Sequence, residues 1–152
     1  MIDTSASTLS WNQFSKAKGL ILEVAKQAYL KREQLAIIEF GNDQVTEIMP
    51  KLQAPKDIES ILDGLSAGGG TPMRQALEVT QSIIKKWKQS QPNLLVRNYL
   101  VTDGRTTDSM QGINLLDETV VVDIERSSVK RGRGQQIADT INAGYFNLAQ
   151  AF

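Results

Sequence analysis

Leu94-Leu95-Val96-Arg97-Asn98-Tyr99-Leu100-Val101 runs straight into Thr102-Asp103-Gly104-Arg105, and this junction decides the fold. An apolar run of strand length follows the Gln91-Pro92-Asn93 break and ends in a turn sequence that carries a carboxylate. Upstream, Met73, Ala76, Leu77, Thr80, Ile83, Ile84 and Trp87 share one face of a helix, with Pro72 suited to its first turn. Downstream, Val120 to Ile124 (VVVDI) is almost continuously apolar, as a parallel strand covered on both faces should be. Strand, helix and strand in alternation predict an α/β chain around a parallel sheet.

The rest of the chain extends this pattern. Phe14, Ala17, Leu20, Ile21, Val24, Ala25 and Ala28 recur at helical spacing, predicting a helix over 12–31. Gln34 to Phe40 (QLAIIEF) reads as a strand, Gly41-Asn42-Asp43 as a turn and Val45 to Met49 as the returning strand of a hairpin. Pro55 opens a short helix to about Gly64. Gln135 to Asn142 is a short helix capped by Gly144, and Tyr145 to Leu148 a last edge strand. The predicted fold is α/β, a doubly wound, mostly parallel, Rossmann-like sheet with helices on both faces. One strand fits poorly: only Met1 and Ile2 precede Asp3, whereas strands average about 5–6 residues. Either this strand is truncated or residues from elsewhere complete the sheet.

Composition narrows the function. The chain has 152 residues, 41% hydrophobic and 22% charged, which suits one domain with one core. Seventeen basic residues balance seventeen acidic ones, so no basic excess points to nucleic acid or to an anionic membrane. Without Cys or His there is no disulfide, thiolate, imidazole ligand or His-assisted nucleophile, and any bound metal must be held by oxygen. Neither a bilayer-spanning apolar run nor a signal-peptide pattern is present, which predicts a cytoplasmic protein.

Oxygen ligands occur at three separated strand or loop ends: Asp3-Thr4-Ser5-Ala6-Ser7, Thr71 after Gly68-Gly69-Gly70, and Asp103. Taken singly, these are ordinary turn and helix-cap sequences. Together, in this order, they can converge in the crevice beyond the strand C-termini of an open parallel sheet. Hydroxyls with one or two carboxylates suit magnesium, which keeps several of its waters, with manganese or calcium as alternatives. Ser5, Ser7 and Thr71 are the candidate direct ligands, and Asp3 and Asp103 ligate directly or through water. Such a site keeps a position open for an Asp or Glu of a partner protein.

These residues resemble the metal-ion-dependent adhesion site of von Willebrand factor A and integrin I-type domains: Asp3-x-Ser5-x-Ser7, Thr71 and Asp103 match it one for one. The resemblance covers essentially residues 1–152 as one domain and implies an antiparallel edge strand, here Val45 to Met49. Within the family, 67–73 (AGGGTPM), 100–105 (LVTDGR), 120–125 (VVVDIE) and 135–148 (QQIADTINAGYFNL) look most like the C-terminal domain of the magnesium chelatase D subunit and its cobalt-chelatase relatives. That similarity implies a magnesium-dependent protein-interaction module, non-catalytic by itself, in an ATP-dependent metal chelatase of tetrapyrrole biosynthesis. Its implied partners are an AAA+ ATPase and the large chelatase subunit. The D subunit's AAA+-like region and acidic linker have no counterpart here.

Two alternatives come from other classes. A surface adhesion module would use the same metal site, and a magnesium-dependent phosphoryl-transfer enzyme would place phosphate at the glycine loop. A P-loop lysine is missing, because Gly70 is followed by Thr71-Pro72. Elsewhere, Lys130-Arg131-Gly132-Arg133 reads as a solvated basic loop, with contact to an acidic partner or a phosphate near the metal face as the alternative, and Asp123 and Glu125 could hold Arg131 or Arg133 locally. Lys85, Lys86 and Lys88 read as helix-end cations around an inward Trp87.

Overall fold

The shortest strand lies in the middle of the sheet. In the computed structural model, which describes residues 1–6, 11–65, 67–126 and 132–150, β1 is Ile2–Asp3. Ile2 pairs in parallel with Glu39 on one side and Val101 on the other. Flanking backbone extends the pairing, since Val101 N–H donates to Met1 O at 3.0 Å and Thr4 N–H to Phe40 O at 2.8 Å. The strand thus pairs on both sides through two residues and the backbone flanking them.

Around β1 the chain forms α1 (Trp11–Leu30), β2 (Gln34–Gly41), β3 (Gln44–Gln53), α2 (Glu59–Asp63), α3 (Met73–Ser90), β4 (Arg97–Thr102), β5 (Glu118–Asp123), α4 (Arg133–Thr140) and β6 (Gly144–Asn147). The six-stranded order is β3-β2-β1-β4-β5-β6, parallel except for β3, which runs antiparallel to β2 at one edge. Successive residues of β4 and β5 face opposite sides, so Leu100 and Val121 join Leu77 and Ile137 in one core. Val101 and Val122 pack with Ala17 and Ile124 on the other. Thus α3 and α4 cover one face, while α1 and α2, through Ala25, Ile58 and Leu62, cover the opposite face. Among the described residues no helix is long and apolar enough to cross a membrane.

Several boundaries differ from the sequence reading, each for a local reason. β4 starts at Arg97, not Leu94, because pairing begins at Arg97↔Glu118, while Leu94 N–H closes a turn onto Gln91 O and Leu95 is 96% exposed. β3 runs on to Gln53, and Lys51 on it places its ammonium 5.4 Å from the Trp87 ring centre, covering an indole that is only half-buried. α2 opens at Glu59 rather than at Pro55, after Asp57 Oδ1 accepts the Glu59 N–H at 2.7 Å. The predicted cap at Gly144 is also wrong. Asn142 takes the left-handed turn after α4 (φ 55°), and Gly144 is already the first residue of β6.

Candidate metal centre

Three strand ends repeat one local device. The side chain of an Asp closing a strand accepts the backbone N–H two residues on, folding the chain back at the C-terminal edge of the sheet. Asp3 Oδ1 takes Ser5 N–H at 2.9 Å, Asp103 Oδ1 takes Arg105 N–H at 3.0 Å, and Asp123 Oδ1 takes Glu125 N–H at 2.8 Å. All three carboxylates are buried.

Asp3 is further held by Thr102, whose hydroxyl donates to Oδ2 at 2.6 Å, tying β1 to β4. Burial raises the Asp3 carboxyl above its ordinary value; the hydrogen bonds from Thr102 and Ser5 oppose this, and the Asp103 charge adds to it. The Asp103 Oδ2 atom is buried with no hydrogen-bond partner, and Arg105 Nε stands 3.7 Å away, beyond hydrogen-bond length.

The glycine loop is brought to β1 by backbone. Gly68 N–H donates to Thr4 O at 3.2 Å and Asn42 N–H to Gly68 O at 2.8 Å. At Gly69, φ is 51° and a Cβ would stand 2.9 Å from Asn42 Cα, so no other residue fits the close approach. Half-buried Thr71 follows, and its carbonyl accepts the Thr106 hydroxyl at 3.2 Å, fastening it to the loop after β4.

Asp3, Ser5, Thr71 and Asp103 thus stand on three segments cross-linked at one end of the sheet, while Ser7 lies outside the described residues, as do Lys130 and Arg131. Among the described residues no three acidic side chains gather to hold a metal, so the candidate donors are two carboxylates plus hydroxyls. That set suits a hydrated hard cation, and the orphaned Asp103 oxygen beside a second buried carboxylate is what a cation would relieve.

Three supporting residues escaped the sequence reading. Thr102 orients Asp3, Thr106 holds Thr71, and Asp108 caps α3 by accepting Arg74 N–H at 3.0 Å. Only Thr102 carried a signal, standing beside Asp103. Of the expected pairing of Asp123 and Glu125 with Arg131 or Arg133, the Arg133 pair does not form, its guanidinium donating to Thr106 O at 3.4 Å, and Arg131 lies outside the described residues.

Residues 1–105 match the von Willebrand factor type A domain family. The chain belongs to that family. This A domain is 26% identical over 176 residues to the magnesium-chelatase 67 kDa subunit of Chlorobaculum tepidum, covering 99% of the chain and 28% of that protein. The magnesium-chelatase 60 kDa subunit of Cereibacter sphaeroides is 27% identical over 111 residues, 73% of the chain and 19% of that subunit. An uncharacterized protein of Methanocaldococcus jannaschii is 24% identical over 152 residues, covering 88% of the chain and 85% of its own length. The A domain therefore spans less than a third of the chelatase subunits it resembles, but nearly all of the archaeal protein.

Proposed function

We propose that residues 1–152 act as one magnesium-dependent protein-interaction module whose metal is held by Asp3, Ser5, Ser7, Thr71 and Asp103. The observation that carries this reading is the buried Oδ2 of Asp103, which accepts no hydrogen bond and has only the Arg105 guanidinium at 3.7 Å, with Asp3 buried nearby. When bound, magnesium supplies a positive centre with an exchangeable position for an outside oxygen. The protein's part is to fix the cradle: Thr102 orients Asp3, Thr106 holds Thr71 in place, and the glycine loop keeps side-chain bulk away. The partner is a protein presenting Asp or Glu. Similarity to magnesium-chelatase subunits supports an adaptor role in a cytoplasmic chelatase assembly, with an AAA+ ATPase and a large chelatase subunit as partners. The domain itself turns over neither ATP nor phosphate esters.

Magnesium titration by calorimetry tests the site. Wild type should show one binding event, absent in the Asp3→Ala/Asp103→Ala double variant; unchanged heats in that variant refute the assignment. Thr71→Ala should weaken magnesium binding about 10–100-fold while shifting thermal stability little, because Thr71 sits at a loop junction. A loss of binding that merely tracks unfolding would count against the proposal.

A further inference from the structure

Beside the metal end lies an open groove of about 520 Å³ between the loop after β4 and α4. Its walls are mostly neutral and polar, with Thr106, Ser109 and Gln111 on one side and Gln136 and Thr140 on the other. Its acidic residue, Asp108, is already engaged by the Arg74 backbone N–H. Its one cation is Arg133, the first residue of α4. Arg74 and Arg105 near this end both have carboxylate neighbours, in Glu78 and Asp103. Arg133 has none within ion-pair distance among the described residues; its guanidinium is steadied only by the Thr106 carbonyl. It also stands next to the metal cradle: a Cβ on Gly104, the residue after Asp103, would lie 3.2 Å from the Arg133 Cβ.

We infer that Arg133 is a specificity residue that reads a second acidic side chain on the partner, two residues along an extended segment from the carboxylate that meets the metal. The inference rests on the proposed metal site and deepens it by naming the partner segment. An extended chain advances about 3.3 Å per residue and alternates its side chains, so the second position along returns to the face of the metal-bound carboxylate, toward Arg133. The neutral hydroxyls and amides of the groove can bond the segment's backbone without demanding further charge. A guanidinium, with its planar fork of donors, favours a carboxylate over any neutral side chain.

The test uses immobilised Ser/Gln/Thr peptides bearing either a single Asp, or that Asp with a Glu at each of the next three positions, in magnesium and in chelator. For wild type, a Glu two positions on should raise affinity roughly three- to five-fold, as expected of an exposed ion pair, and the gain should shrink at high salt. Arg133→Gln should erase the gain and leave single-Asp binding intact. Lys85→Gln, an equal charge change remote from the groove, should keep it. A gain that survives Arg133→Gln, or no gain while the single-Asp peptide binds in a magnesium-dependent manner, overturns the role of Arg133 alone. Calorimetry showing no magnesium binding overturns the metal reading itself, and peptides that never bind a magnesium-loaded domain overturn the acidic-segment partner.

Discussion

Asp103 and Asp123 end adjacent strands, are 2% and 1% exposed, and each fold the chain back by accepting a backbone N–H two residues ahead. They differ in one atom. Asp123 Oδ2 accepts the Tyr145 hydroxyl at 2.7 Å, whereas Asp103 Oδ2 accepts no hydrogen bond and has only the Arg105 Nε at 3.7 Å. The same strand-end device is thus closed with an internal partner in one place and left open in the other. A buried carboxylate oxygen without a donor costs free energy, so an open one marks where an outside group belongs.

The largest expected effect separates the two carboxylates. Asp103→Asn should lower magnesium affinity by about 10–100-fold, with metal-free stability unchanged or slightly raised because Asp3 loses a like-charged neighbour. Asp123→Ala should do the reverse, costing about 1–3 kcal/mol by stranding the Tyr145 hydroxyl and the Glu125 N–H, with magnesium affinity retained. Calorimetry and urea unfolding on both variants measure the crossing. Equal losses of stability with magnesium binding intact in both would erase the distinction.

The packing around Asp123 sharpens the contrast. A Cβ on Gly134 would lie 2.5 Å from Asp123 Oδ2, and one on Gly104 would lie 2.9 Å from Gly134 N, so the start of α4 is wedged between the two strand ends. Gly134→Ala should therefore destabilise by about 1–3 kcal/mol through forced displacement. Gly19→Ala on α1, where nothing lies within 4 Å, should stabilise by about 0.5–1 kcal/mol. Thermal unfolding of the pair is the check, and a neutral Gly134→Ala would mean that α4 is not seated as described.

The layout of the sheet was legible because period and punctuation agree: helical spacing over Phe14 to Ala28, the VVVDI run and the turn at Asn42-Asp43 each allow one element type. Leu94 to Val96 misled because hydrophobicity alone cannot say whether a pairing partner is opposite, and β5 begins only at Glu118. The candidate site was legible as Asp3, Ser5, Thr71 and Asp103 because ligand chemistry is written in residue types. Thr106 and Asp108 were not, since their roles depend on segments 34 or 35 residues apart meeting in space, as Asp108 and Arg74 or Thr71 and Thr106 do.

The smallest effect tests whether an open carboxylate oxygen is sufficient to make a metal site. Burial and the hydrogen bond to Asp123 push the Tyr145 hydroxyl up to about 12. In the unfolded chain a tyrosine releases its proton near pH 10, so wild-type stability should be steady below that and fall as pH climbs from about 10 to 12. Tyr145→Phe removes this component from an alkaline absorbance titration and from the pH profile, at a cost of about 0.5–1.5 kcal/mol at neutral pH. It also leaves Asp123 Oδ2 without its hydroxyl donor, the condition of Asp103. Among the described residues the hydroxyl that bonds Asp123 is that of Tyr145, so calorimetry on Tyr145→Phe should show the same single magnesium event as wild type. A second event would mean that an orphaned strand-end carboxylate alone recruits the cation, and that the hydroxyl cradle around Asp103 is not what selects it.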